Sequence, residues 1–250
     1  MRLFVPLPLQ AGGEISLPPG PARHAQVRRV QPGDVLQLFD GSGHDWPATV
    51  LAVGRSEVRV MLGAALPVQR ELPRHVTLAL AMPANERMDA LVEKATELGV
   101  GAVQPLMSSR SVLRLSGERA QRKQLHWQAI AEAACEQCGR ARVPVVAPVQ
   151  ELSAWLAGRG PAGASHRWLL SLQADAQNLA ALCASVSSAA AGADASPVWT
   201  LSGPEGGLAP EEETAARAAG FVPVALGPRV LRADTAPLAV LAWLGLAGLA

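Results

Sequence analysis

Lysine is nearly missing from this 250-residue chain: Lys94 and Lys123 are its only two, against twenty arginines. Arginine's planar fork suits paired hydrogen bonds to phosphate, and a GC-rich genome would also enrich it, so composition permits nucleic-acid contact without showing it. Tyrosine is absent, and the six tryptophans and three phenylalanines are few enough to be read as core rather than as base-stacking platforms. The longest uncharged apolar run, PLAVLAWLGLAGLA at residues 237–250, has fourteen residues. A bilayer span needs roughly 20, so this run reads as a core or dimer helix and no membrane partner is expected. No charged and apolar secretory leader opens the chain, and a cytoplasmic location is expected. Cysteine occurs three times, at Cys135, Cys138 and Cys183. No second CxxC or nearby histidine pair completes a zinc site, so no metal is expected. Cys135 and Cys138 read as inert positions on one helix face, with a redox or metal role as the alternative.

The net charge of +1 conceals an asymmetry. Residues 1–145 carry seventeen basic side chains against thirteen acids, and the remainder five against eight. Residues 1–72 hold short alternating runs, DVLQLF, ATVLAV and EVRVML, separated by the turn signals LPPGP, QPGD, DGSGHDWP and VGRS. That spacing predicts a small β-barrel or sandwich. From residue 73 to 250 the pattern changes to α/β. HVTLALAM reads as a buried strand, and ERMDALVEKATELGV as an amphipathic helix with Met88, Leu91, Val92, Ala95 and Leu98 on one face. GAVQPLM, VPVVAPV, HRWLLSL, VWTLSG and FVPVALG supply further strands, with ERAQRKQLHWQAIAEAACEQCGR as a long helix. Strands alternating with helices predict a parallel sheet covered on both faces. Two Ala/Gly/Ser-rich stretches, AGRGPAGASH and SSAAAGADASP, read as surface loops.

Within this region LSGPEGGLAPEEE, residues 201–213, ends a strand, turns sharply and enters a helix with Pro210 at its first position. Glu211, Glu212 and Glu213 fill the first turn, where a phosphate would otherwise bind, and there is no P-loop lysine or GxGxxG. The loop therefore suits a ligand that is not a polyanion. A second unit, FVPVALGPRVLRADTAPLAV, turns at Gly227 and Pro228 into a helix beginning near Asp234 or Thr235. Two such turns belong at the same C-terminal edge of a parallel sheet, where α/β proteins bind ligands.

LSGPEGG, LGPRVLR and AACEQCGR followed by Val143 and Pro144 resemble the RsmE-type 16S rRNA uridine N3-methyltransferases of the SPOUT class. HAQVRRVQPGD, LQLFDGSG, ERMDALVEKATELGV and SRSV are similar to further family segments in the same order, so the resemblance spans essentially the whole chain. It implies a PUA-like β-barrel that helps bind rRNA and a C-terminal α/β domain with a deep trefoil knot. It also implies S-adenosylmethionine as cofactor, 16S rRNA of the small ribosomal subunit as partner, and a homodimer. On the resemblance, Leu201, Gly203, Pro204, Glu205 and Gly206 form one cofactor loop, and Leu226, Gly227, Val230, Leu231, Arg232 and Thr235 the other. A sulfonium cofactor without phosphate also accounts for the tolerated acids.

Uracil N3–H is a weak acid, so Arg232 or Arg229 is expected to stabilise the anion left by its proton. Asp234 or Glu205 is the candidate proton acceptor; alternatively Asp234 caps a helix and Glu205 orders its own loop. His24, Arg29, Arg87, Arg110 and Arg140 are the candidate rRNA contacts. Three departures from the family stand out: LRADT where LRTET is usual, which shortens the acid to Asp234; Ser109 for glutamate; and Arg28 for leucine. A related enzyme acting on another RNA site, or a non-catalytic ribosome-assembly factor, are the alternative functions.

Overall fold

The computed structural model describes residues 1–84, 86–158, 165–182 and 196–247. They divide into two compact units, Met1–Glu71 with Glu132–Val143, and Leu72–Ala131 with Pro144–Ala250. Cys183 and most of both Ala/Gly/Ser-rich stretches lie outside the described residues.

The first unit is built from β1 (Arg2–Phe4), β2 (Glu14–Ser16), α1 (Pro19–Val27), β3 (Val35–Phe39), β4 (His44–Val53), β5 (Val58–Leu62) and β6 (Leu66–Pro67). Its sheet runs β1-β3-β4-β5-β2, with β6 on the start of β4. The period of two is plain in β5, whose residues alternate buried and exposed. Leu36, Leu38, Trp46, Ala48, Val50, Val58, Val60 and Leu62 meet Ala22 and Ala25 of α1 in one core. LPPGP, expected as a turn, instead opens α1, because proline at the first helical positions has no N–H to lose. Likewise HDWP, expected as turn, is the start of β4.

Residues 132–143 belong to this unit and not with the rest of the second region, for a reason that lies in Arg2. Its guanidinium pairs with Asp45, stacks 3.7 Å from the Phe39 ring centroid, and donates to the carbonyls of Cys135 (2.5 Å) and Arg140 (2.8 Å). It thus adds a second donor to the Cys135 carbonyl, which already accepts from the Gly139 N–H at 3.1 Å, and ties this helix end to the first unit. Phe39, Cys135 and Ala141 are buried together.

The second unit contains β7 (Val76–Ala81), α2 (Glu86–Glu97), β8 (Ala102–Met107), α3 (Gly117–Cys138, whose last turns join the first unit), β9 (Val145–Val146), β10 (Gln150–Glu151) and α4 (Leu152–Ala157). There follow β11 (His166–Leu170), β12 (Gln177–Asn178), β13 (Val198–Ser202), α5 (Pro210–Ala218), β14 (Val222–Ala225) and α6 (Thr235–Ala247). Every pairing is parallel, in the order β10-β8-β7-β13-β11-β14-β12, with β9 on β8. β7 is buried along its whole length, as a strand covered on both faces must be. Its Val76, Leu78 and Leu80 pack with Met88, Leu91 and Val92 of α2, Trp127 of α3 and Val240 and Leu241 of α6. Its Ala79 and Ala81 join the opposite core, with Leu152, Trp155 and Leu156 of α4, Leu201 of β13 and Ala216 of α5. Each fully buried large side chain contributes about 1.5–3 kcal/mol by removal from water.

The C-terminal apolar run forms α6, which buries Val240, Leu241 and Leu244 yet leaves Trp243 and Leu246 exposed. No helix among the described residues is long and apolar enough to cross a membrane. β11 lies between β13 and β14, although both come later in the chain.

Candidate active site

β13, β11 and β14 are neighbours, so the loops leaving their C-terminal ends converge. They enclose a cavity of about 520 Å³. One wall is the last residue of β13, Ser202, with the turn after it, contributing Gly203, Pro204, Glu205, Gly207 and Leu208. The second is the segment after β14, contributing Leu226, Arg229, Val230, Leu231 and Arg232. Both turns singled out in the sequence therefore face one space. A third wall, Leu170 to Gln173 after β11, was missed in the sequence. LLSLQ carries no Gly/Pro signal, and nothing local says that β11 is inserted between two later strands.

The turn after β13 is tight enough to dictate its residues. A Cβ on Gly203 would lie 2.8 Å from the Gly207 carbonyl carbon and the Leu208 nitrogen, and Gly207 has φ +68°. Only glycine enters such a fold without displacing backbone. The helix behind it starts with Glu212 reaching back to the Ala209 N–H at 2.9 Å. Glu205 accepts hydrogen bonds from the Ala84 N–H (3.3 Å) and Arg87 (3.0 Å), which ties the turn to the chain after β7. That is the loop-ordering role rather than a free carboxylate.

Asp234 has no N-cap role. The N–H groups of Thr235 and Ala236 are both bonded to the Arg232 carbonyl at 3.0 Å, and Asp234 Oδ1 is buried without a partner. Asp234 stands between two cavity-lining residues, Ala233 and Ala236, but does not itself line the cavity. Neither do Gly206, Gly227 and Thr235, and the Leu201 side chain is fully buried in the core beneath α4 and α5.

The cationic candidates separate. Arg29 is exposed and sits at φ +56°, just past the end of α1, while His24 lies 3.7 Å from Glu136. Arg87 and Arg110 line the cavity, and Arg110 is bonded to the turn after β13. Arg140 corrects the sequence reading: it is 3% exposed and bonded through Nε and Nη2 to Glu71, so its guanidinium does not face solvent phosphate. Cys135 is buried and Cys138 half-buried at the end of α3. Their mutual hydrogen bond is the largest cause in both shifts, pushing the Cys135 thiol up and holding Cys138 down to about 6. Among the described residues no group of three or more His, Cys, Asp or Glu could hold a metal ion.

The sequences of the parallel α/β sheet with its C-terminal-edge pocket and of the small β unit both match RNA methyltransferase families. Residues 70–245 match the RNA methyltransferase domain, and residues 22–61 the RNA methyltransferase PUA domain. A ribosomal RNA small subunit methyltransferase E of Synechocystis is 33% identical over 224 residues, 87% of this chain and 67% of that protein. One from Mycobacterium bovis is also 33% identical, over 88% of this chain and 81% of its own length. The crystal structure of a ribosomal RNA small subunit methyltransferase E from Neisseria gonorrhoeae bound to S-adenosyl methionine superposes with a TM-score of 0.84 at 34% identity, covering 96% of this chain and 95% of that one. The chain belongs to this family, the ribosomal RNA small subunit methyltransferases E.

Proposed function

We propose that the protein methylates N3 of a uridine in small-subunit 16S rRNA, using S-adenosylmethionine held between the turns after β13 and β14. The observation that carries this is the convergence of those two turns on one cavity of about 520 Å³. That volume lies in the range of small-molecule pockets. The lining fits the cofactor chemically. Leu170, Leu226, Val230 and Leu231 offer apolar surface for an adenine ring, and Gly203 lets bare backbone approach it. Glu213 on the rim suits a cation and would repel a phosphate.

S-adenosylmethionine supplies an electrophilic methyl group on a sulfonium, and no covalent enzyme nucleophile is needed. What the chain contributes is alignment and charge. Arg232 and Arg229, exposed on the cavity wall, stabilise negative charge on the uracil ring as the N3 proton leaves. Glu205 is engaged with Ala84 and Arg87 and orders its turn. Asp234, beside the cavity wall and with Oδ1 buried and unpartnered, is the remaining carboxylate candidate, and it reaches that proton only through a movement of the segment after β14 or a bridging water. Arg29 and His24 in the first unit, with Arg87 near the cavity, are the rRNA phosphate contacts. The exposed Trp243 and Leu246 on α6 support a homodimer through that helix. The strand order is compatible with the knotted threading the resemblance implies, as it is with an unknotted parallel sheet. A cytoplasmic location follows from an rRNA substrate.

Mass mapping of methylated nucleosides in small-subunit rRNA, with and without this gene, tests the proposal. The expected result is the loss of one N3-methyluridine and its return on complementation; an unchanged map would refute it.

A further inference from the structure

The turn after β13 is held from outside as much as from within. Inside it, the Gly207 N–H donates to the Pro204 carbonyl at 2.9 Å. The carbonyls of Gly206 and Leu208 are both taken by Nη1 of Arg110, at 2.8 and 3.2 Å. The stem of Arg110 lies along the same turn: a Cβ on Gly206 would meet Arg110 Cβ and Cδ at 3.6 Å. The neighbouring backbone adds a second grip, because the Ser109 N–H donates to Glu212 Oε1 at 2.7 Å while Oε2 holds the Ala209 N–H. Arg114 steadies this segment by donating to the Ser109 carbonyl at 2.9 Å. β7 stands between β8 and β13, so Arg110 reaches across the end of β7 to make its bonds.

Both bonds come from the single nitrogen Nη1 at the end of a long stem, so a lysine that reached as far could keep part of the contact. Nη1 of the guanidinium is taken up by main-chain carbonyls of the turn, a use different from gripping a solvated phosphate. From sequence alone Arg110 is expected among the rRNA contacts.

We propose that Arg110 is a positioning residue for methyl transfer, holding residues 203–208 in the shape that faces the methyl donor, and not an rRNA phosphate contact. The inference rests on the cofactor reading above. Its test uses the full-length protein with S-adenosylmethionine and a small-subunit rRNA fragment. Calorimetry gives cofactor affinity, and a salt series gives the slope of RNA binding. Arg110→Ala is expected to weaken cofactor binding about tenfold and Arg110→Lys less, while the logarithmic salt slope stays at the wild-type value. Unchanged cofactor affinity in Arg110→Ala, or a slope lowered by about one, would overturn the proposal. Should Arg110→Ala melt too low to titrate, the lysine variant decides on the same two readouts. A wild-type protein that does not bind S-adenosylmethionine sinks the functional reading itself. A wild-type protein that binds it, beside an alanine variant that binds equally well, sinks only this inference.

Discussion

At position 203 the backbone leaves no room for a side chain, since Gly207 and Leu208 stand 2.8 Å from where a Cβ would be. Those contacts are main chain and cannot swing aside as a side chain could, so Gly203→Ala must displace the turn. We expect at least a tenfold loss of S-adenosylmethionine affinity, about 1.4 kcal/mol, with the far-ultraviolet circular dichroism of the fold retained. Calorimetry on the variant checks it. Arg232 is a different case, because it lines the cavity from an exposed position. Arg232→Ala should lower kcat about a hundredfold, the scale of losing one charge-stabilising donor, while cofactor affinity changes little. Equal loss of both would make Arg232 a cofactor-loop residue. The carboxylate assignments were open in the sequence, and geometry separates them. Glu205 has two hydrogen-bond donors, whereas Asp234 Oδ1 is buried without a partner among the described residues. No local pattern could have distinguished them, because the partners Ala84 and Arg87 come from more than a hundred residues away.

Among elements, α2 and α3 are joined by one carboxylate. Asp89 accepts hydrogen bonds from His126 Nε2 and from the indole N–H of Trp127, each at 2.8 Å. Trp127 is fully buried. Burial alone would raise the Asp89 pKa, but the bonds from His126 and Trp127 outweigh it and hold it below its ordinary value. A carboxylate with a depressed folded pKa stabilises the fold above its unfolded pKa, and that contribution is lost as pH falls through the folded value. Asp89→Ala strands a buried N–H and should cost about 1–3 kcal/mol near neutral pH, with the difference from wild type shrinking in acid. Urea melts at pH 7 and pH 3 measure both. The elements themselves were largely legible: the period-two runs became β3 and β5, and the 3.6-residue period of ERMDALVEKATELGV became α2. α1 was not, because LPPGP signals a turn and a helix start alike, and only the burial of Ala22 and Ala25 decides. The third cavity wall escaped for a topological reason, since strand order is not written in any one segment.

For the whole molecule, binding to rRNA should be electrostatic and fall steeply with salt. Arg29 offers a clean probe because its φ of +56° is one that glycine adopts freely. Arg29→Gly removes the guanidinium while relieving the backbone, so the melting temperature should hold or rise and the logarithmic salt slope should drop by about one. A falling melting temperature with an unchanged slope would return Arg29 to a structural role. The division into units was visible only in part. The change of pattern near residue 72 is in the sequence, but the capture of residues 132–143 by the first unit depends on Arg2 reaching the carbonyls of Cys135 and Arg140. Family resemblance spans the chain without exposing such long-range contacts.

The most direct measurement is a crystal structure of the protein with S-adenosylmethionine. The account predicts density for the cofactor between the turn of residues 203–208 and the segment of residues 226–232, with the Arg110 bonds to Gly206 and Leu208 intact. Density at any other site, or those two turns drawn apart around the bound cofactor, would contradict it.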